Sequence, residues 1–400
     1  MFIQLSNRPR YVVPKGILLA PDFPPFLGGI SNLLFSIYEK LNLGNITLIA
    51  PAGVNAQAFD AKQEYQSQRI KYTSGLPGFR SVAYIFQTYV RAQEILKQDP
   101  AQVIHCGHIQ AALAARYLKK HFGTRYLVWT YALEIMDRFM MIPIRKALKD
   151  ADLVITISDF TREHIESLGV SKEKIVMIRP GTNPETFCPG LCGDALGSRL
   201  GINGQRVLLT VGRVSRKQRY KGQDMVIRAL PKILKKVPDI VYVVAGTGED
   251  VGYVREIARQ QGVSDRVKVV GEIEHDSLPL LYNCCDVFIL CSRKESNLRG
   301  ILAEGFGIVF LEASSTGKPV IGGKSGGISE AVKENITGLL VDPMDPDAIA
   351  DAVIRLITDG EFAQRLGQNG RRWVEEEMNW ERATTEFCEA YWRFFPAKRI

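Results

Sequence analysis

RVLLTVGRVSRKQRYKGQDMVIRALPKILKKVPDIVYVVAGTG, residues 206–248, begins and ends on apolar runs that close in glycine. RVLLTVGR has no polar alternation, which suits a strand covered on both faces of a parallel sheet. A helix is expected near 221–236, and IVYVVAGTG then repeats the strand pattern. Strand, helix, strand in that order is the building unit of a doubly wound α/β layer.

The same alternation extends in both directions. Downstream come a helix near 250–261, RVKVVGE, DVFILCS, a loop, a helix after Gly307, KPVIGG, a helix after Gly327 and TGLLVDP. Upstream stand GILLAPDF (16–23), the amphipathic GGISNLLFSIYEKL (28–41), NITLIAP, QVIHCG, RYLVWTY and DLVITIS. Between the two series lies IRPGTNPETFCPGLCGDALGSRLGINGQ (178–205), rich in Gly, Pro, Asn and Thr, the best candidate for a linker. The expected division is an N-terminal domain over 1–183, a linker over 184–205, a second domain over 206–379 and a terminal helix over 380–400.

The 400 residues suit two domains, and 46% hydrophobic with 24% charged residues supplies both cores. No apolar run is long enough to span a bilayer. The first residues, MFIQLSNRPRYVVPKG, hold no apolar core segment and do not read as a secretory leader. Seven scattered cysteines form no CxxC pair, so reduced thiols in a cytosol are the expected state. The net charge of +8 fits attraction to phosphates or anionic lipid as well as a plain solvated surface. No nucleic-acid partner is expected, and nothing in the chain sets an oligomeric state.

In parallel α/β sheets ligands bind at the carboxyl ends of strands, where helix starts offer bare N–H groups to anions. Five junctions have suitable composition. PDFPPFLGGI (21–30) places Gly28 and Gly29 at a helix start. TVGRVSRKQRYKGQD (210–224) places Gly212, Arg213 and Lys221 where two cations can converge on one diphosphate. There Arg216, Lys217 and Arg219 are either a solvated loop or an added positive field. VVAGTGED (243–250) lacks the third glycine of a dinucleotide fingerprint, so a turn is the default. AEGFGIVFLEA (303–313) sets Glu304 before a helix start at Gly307–Ile308 and Glu312 about one turn inside it. Carboxylates are the bidentate acceptors that sugar hydroxyls need. GGKSGGISEAV (322–332) is either a phosphate-facing loop or a glycine-rich helix start.

In order and spacing these pieces resemble the family-4 retaining glycosyltransferases of the GT-B fold. The residues that carry the resemblance are Gly212-Arg213, Lys221-Gly222, the Glu304–Glu312 pair, and SGGISEAV followed by TGLLVDP. EGFGIVFLEASSTGKPVIGGKSGG is similar to the phosphatidylinositol mannosyltransferase branch and to bacterial polysaccharide transferases. The resemblance implies two Rossmann-like doubly wound domains facing across a cleft, with the 380–400 helix crossing back to the first. It implies transfer of a hexose from a nucleoside-diphosphate sugar, GDP-mannose or a UDP-sugar, to an acceptor hydroxyl in glycolipid or polysaccharide synthesis. Arg213 and Lys221 would hold the diphosphate and stabilise the departing nucleotide. Glu304 would hold the donor sugar and Glu312 the ribose. Gly307 and Ile308 would offer N–H groups, and Gly28 and Gly29 would close on the diphosphate. No cofactor and no metal are expected.

Many relatives carry a histidine after a strand of the first domain. The matching stretch here, WTYALEI (129–135), has Tyr131 at that position and Leu133 at a second histidine position. His108, in IHCGH, is either a structural histidine or, with Tyr131, a candidate for sugar or acceptor contact. GLPGFRSVAYIFQTYVRAQEIL (75–96) reads as a helix with two open uses. It is either a core helix or a basic amphipathic surface that docks the protein on the inner face of an anionic membrane, toward a lipid-linked acceptor. The localisation expected is cytoplasmic in both cases. An epimerase or a phosphorylase on the same fold remains an alternative, as does a non-catalytic sugar-binding protein.

Overall fold

Every strand expected from an unbroken apolar run is found. In a computed structural model of the chain, the described residues are 13, 15–26, 28–41, 45–71, 79–100, 103–132, 141–190, 192–297 and 300–396. The chain divides into two compact units, Phe2–Pro180 with Trp380–Ile400, and Gly181–Asn379.

The first unit is built on seven strands: β1 (Gly16–Leu19), β2 (Ile46–Pro51), β3 (Gln66–Ile70), β4 (Val103–Cys106), β5 (Arg125–Thr130), β6 (Leu153–Thr156) and β7 (Ile175–Met177). Their order is β3-β2-β1-β4-β5-β6-β7, and each neighbouring pair is parallel. The order reverses between β1 and β4, so the segments leaving those two strands lie side by side at one edge, where open α/β sheets bind ligands. The GGISNLLFSIYEKL segment forms helix Gly29–Tyr38. Helix Trp380–Phe394 belongs to this unit: Phe387 stacks on Trp129 with ring centroids 5.7 Å apart, and Tyr391 lies 5.3 Å from the His105 ring. The aromatic spacing of WERATTEFCEAYWRFF thus records a docking face.

The second unit carries β8 (Arg206–Val211), β9 (Ile240–Ala245), β10 (Val267–Gly271), β11 (Val287–Leu290), the hairpin strands β12 (Glu295–Asn297) and β13 (Gly300–Leu302), β14 (Val320–Gly323) and β15 (Gly338–Val341). The main sheet is parallel in the order β10-β9-β8-β11-β14-β15. Its reversal falls between β8 and β11. β9 and β11 are buried along their whole length, as strands covered by helices on both faces must be.

Two local features differ from the sequence reading. The stretch after DVFILCS is an antiparallel hairpin, β12–β13. The Gly- and Pro-rich stretch expected as a linker forms part of the second unit and contains helix Asp194–Leu200. It is tied down by Asn283, which accepts from the Gly190 N–H at 2.8 Å and donates to the Cys188 carbonyl at 3.0 Å. A Cys192–Cys284 disulfide closes the same contact, which corrects the expectation of reduced thiols throughout. The two cysteines are 92 residues apart, so spacing along the chain held no sign of their meeting.

Candidate functional site

At the reversal of the second sheet, β8 runs out at Val211 and the chain turns through Gly212 and Arg213. A methyl group at Gly212 would rest against the Lys221 stem at 3.4 Å, so that stem packs directly over the Gly212 backbone. Residues Arg216–Lys221 form a short 3-10 helix, and Gly222, at φ 78°, starts helix Gln223–Leu234. Any side chain at Gly222 would fall on the Cys291 carbonyl oxygen. Lys221 is thereby delivered between the ends of β8 and β11.

Its ammonium bonds Glu304 Oε2 at 2.9 Å, and the two side chains are only 13% and 18% exposed. Burial pulls the ammonium toward deprotonation and the Glu304 carboxylate pulls it back; the carboxylate wins, and Lys221 titrates above its ordinary range. Arg213 is close enough for its charge to oppose that of Lys221. Two cations and a carboxylate are thus gathered at one sheet edge.

Of the other basic residues of the segment, Arg219 is occupied. Arg219 grips Asp250 through two bonds of 2.5 and 2.8 Å and lies 3.7 Å over the Tyr253 ring. The AGTG turn supports the Arg213 loop: Val214 N–H donates to Thr247 O at 2.9 Å, and a side chain at Gly246 would strike the Gly212 carbonyl. Arg293 bonds Asp224 at 2.8 Å, Glu295 at 2.7 Å and, through its N–H, Tyr220 O at 2.8 Å. It joins the segment bearing Lys221 to the hairpin that leads into Glu304.

Glu304 is held through its backbone. The Gly327 N–H donates to the Glu304 carbonyl at 3.0 Å, and a side chain at Gly327 would collide with the Gly305 carbonyl. The glycine-rich stretch 322–332 is therefore a floor beneath the Glu304 loop. Gly307, at φ 100°, caps helix Ile308–Ser315, whose first residue is Ile308. Glu312 sits inside that helix, 5% exposed, with Oε2 accepting from the Tyr282 hydroxyl at 2.6 Å.

In the first unit the segments after β1 and β4 meet. Arg69 clamps the former: it bonds Asp60 at 2.6 and 2.8 Å, the Pro24 carbonyl at 2.7 Å and the Pro51 carbonyl at 3.2 Å. Ser31 Oγ donates to the Phe26 carbonyl at 2.7 Å. Gly28 is extended and exposed, and Gly29, also exposed, begins the helix. His108 follows β4 and stacks on Tyr131, whose hydroxyl donates to the Gly107 carbonyl at 2.9 Å. Both rings are largely buried, 8% and 4% exposed, so they are held in place rather than mobile. His105 is structural: burial holds its imidazole down to about 3, and Tyr38 bonds its Nδ1 at 2.9 Å. Leu133 lies outside the described residues.

Known proteins share this fold. The family model described as Glycosyltransferase Family 4 matches residues 28–186, and that described as Glycosyl transferases group 1 matches residues 198–373. The GDP-mannose-dependent alpha-(1-6)-phosphatidylinositol monomannoside mannosyltransferase of Mycobacterium tuberculosis is 31% identical over 93% of this chain and 97% of its own length. The chain belongs to glycosyltransferase family 4. Among solved structures, sucrose-phosphate synthase from Thermosynechococcus elongatus matches with a TM-score of 0.79 at 22% identity over 98% of this chain and all of its own. The Anabaena protein HepE, solved with UDP and glucose, matches with a TM-score of 0.78 at 18% identity over 94% and 99%. Both place the fold among the GT-B glycosyltransferases.

In this glycosyltransferase, burial pushes the Glu312 carboxyl up from 4.5 to about 7, against the opposing pull of the Tyr282 hydroxyl. A carboxyl raised on folding is stabilising while protonated, below its unfolded value, and loses that contribution as pH climbs through the folded value. Wild type is therefore expected to lose stability relative to Glu312→Gln between about pH 4.5 and pH 7, by about 3 kcal/mol in total. Urea unfolding of both proteins near pH 5 and pH 8 measures the difference. An unchanged gap between them would mean that the carboxyl titrates normally.

Tyr282, Arg69 and Arg293 went unrecognised in the sequence. Each acts on a partner at least 9 residues away, and Tyr282 on one 30 residues away, without any local motif.

Proposed function

We propose that the protein moves a hexose, with retention of configuration, from a nucleoside-diphosphate sugar to a hydroxyl of a lipid-linked acceptor. The observation that carries this reading is the Lys221–Glu304 pair beside Arg213 at the sheet reversal of the second unit. Lys221 and Arg213 hold the diphosphate and offset the charge that grows on it as the sugar–oxygen bond breaks. The acceptor hydroxyl attacks the same face of the sugar and gives up its proton to the departing phosphate oxygen. Glu304 holds sugar hydroxyls beside the reacting carbon, Glu312 accepts from the ribose, and the Gly307 and Ile308 N–H groups meet phosphate and sugar. Gly28 and Gly29 leave the backbone of the first unit bare for the diphosphate, and His108 with Tyr131 border the acceptor. With two cations and a helix start at the leaving group, the reaction needs no metal and no other cofactor. Among the described residues no group of three or more His, Cys, Asp or Glu is placed to hold a metal ion.

GDP-mannose is the preferred donor in this reading, because relatives matching over 93% and 92% of this chain are named as GDP-mannose-dependent phosphatidylinositol monomannoside mannosyltransferases. A lipid acceptor gains support from helix Phe79–Gln98. Its Tyr84, Thr88, Ala92 and Leu96 are buried, whereas Val82 and Phe86 are 60% and 65% exposed. The helix packs into the core through one face, and the exposed Val82 and Phe86 on the other support docking on an anionic membrane at the cytoplasmic face. Residues 75–78 lie outside the described residues, as do the side chains of Phe79 and Arg80. No described helix is long and apolar enough to cross a membrane.

The test is a transfer assay with labelled GDP-mannose or UDP-glucose and anionic vesicles containing phosphatidylinositol mannoside, in EDTA. Labelled lipid is expected with GDP-mannose, less of it at high salt, and no turnover of donor alone. Conversion of the donor sugar without acceptor would point to an epimerase, and recovery only with Mg²⁺ or Mn²⁺ would remove the metal-free mechanism.

A further inference from the structure

Glu312 has a buried companion that the reaction scheme does not use. Tyr282 is fully buried in helix Leu278–Cys284, and its hydroxyl donates to Glu312 Oε2 at 2.6 Å. We propose that Tyr282 is a positioning residue for nucleotide recognition: it fixes one oxygen of Glu312 and leaves the other as the acceptor for a ribose hydroxyl. This rests on the assignment of Glu312 to the ribose.

The phenol has no freedom to do otherwise. Phe187 meets its ring edge-on at 5.8 Å, and Phe288 lies against it at 5.7 Å. Phe288 in turn meets Phe310, two residues before Glu312 on the same helix, at 5.5 Å. The helix that carries Tyr282 is anchored as well. Asn283 is bonded to Gly190 and Cys188, Lys318 donates to the Asn283 carbonyl at 3.0 Å, and Cys284 is joined to Cys192. Burial, and then the nearby Glu312 charge, push the Tyr282 hydroxyl well above its ordinary range, so it remains a donor at every working pH.

A carboxylate with one oxygen held by a locked donor has lost its rotation before the ligand arrives. A bidentate grip on two ribose hydroxyls is thereby exchanged for a single directed one. The donor also works against burial and keeps the carboxylate more often ionised, the form that accepts from hydroxyls. Supporting residues of this kind set how well a contacting group performs.

Calorimetry separates this role from general packing. Tyr282→Phe and Glu312→Gln are titrated with GDP and UDP, each beside its 2′,3′-dideoxy form, at pH 8. For Tyr282→Phe the affinity for the ribose form is expected to fall roughly tenfold, as when one partner of a buried hydrogen bond is removed. The dideoxy form should be unaffected, because it has no hydroxyl for Glu312 to hold. Equal loss with both forms, or no loss with either, overturns the proposal. If Glu312→Gln retains the full preference of wild type for ribose over dideoxyribose, the ribose assignment itself fails. If Glu312→Gln abolishes that preference and Tyr282→Phe does not, the assignment stands and only the positioning role fails.

Discussion

Lys221→Ala is expected to lower affinity for a nucleoside diphosphate more than tenfold and to lower turnover by two to three orders of magnitude. A charge-assisted hydrogen bond contributes about 1.5–3 kcal/mol to binding. Removing a donor aimed at charge that develops in the transition state costs about a hundred- to a thousandfold in rate. The substitution also strips Glu304 of its partner in a setting where both side chains are mostly buried. An unpaired buried carboxylate is destabilising, so part of the loss comes from a displaced Glu304 loop. Glu304→Gln separates the two: it keeps a hydrogen-bonding group near Lys221 while removing the charge, and it should harm turnover more than diphosphate binding. Calorimetry with GDP and UDP, beside turnover of the sugar nucleotide, gives both quantities. Wild-type affinity and rate in Lys221→Ala would remove the phosphate site from this junction.

Gly327→Ala is expected to be almost as damaging, although Gly327 is assigned no contact with substrate. Its φ of −85° is one that alanine adopts freely, so backbone conformation is not the obstacle. The obstacle is space, because the new methyl group would overlap the Gly305 carbonyl. Something must move, and what lies there is the loop that carries Glu304. Overpacking of this kind costs about 1–3 kcal/mol of stability. A shift of about 1 Å in a reacting group can cost a hundredfold in rate, and a loss of that order is predicted for turnover. Gly252→Ala is the control: it lies in helix Val251–Gln260 with open space around it and should be neutral or slightly stabilising. Full activity and an unchanged melting temperature in Gly327→Ala would show that the glycine floor does not support Glu304.

The strands were legible because a strand covered on both faces leaves a continuous apolar run, as IVYVVA and VFIL do. The Glu304–Gly307–Glu312 spacing was legible because it reflects one strand exit and one helix start, all within nine residues. VVAGTGED reads as a turn and GGKSGGISEAV as a phosphate-facing loop or a helix start, but the purpose of their glycines was not legible. Whether a glycine at 246 or 327 faces a phosphate or another backbone depends on what the fold brings over it. For both, that is the carbonyl of a neighbouring functional loop. The Arg69 clamp, the Tyr282–Glu312 bond and the Cys192–Cys284 bridge join segments far apart in the chain, and none leaves a periodic trace. The terminal helix lies between these cases. Its aromatic face announced that it docks, while its partners Tyr38, His105 and Trp129 were fixed only by the three-dimensional structure.

The placement of that helix has a consequence for biosynthesis. The second unit is one continuous stretch whose two ends meet, with the Thr182 N–H bonded to the Met378 carbonyl at 3.0 Å. Everything it needs has been translated by Asn379. The first unit, although it begins earlier, stays without the cover over Tyr38, His105 and Trp129 until Phe387 and Tyr391 have been added. Domains ordinarily fold in the order of their synthesis. Here the sequence of the later one is complete first, and the earlier one keeps an open aromatic face until the terminal helix docks.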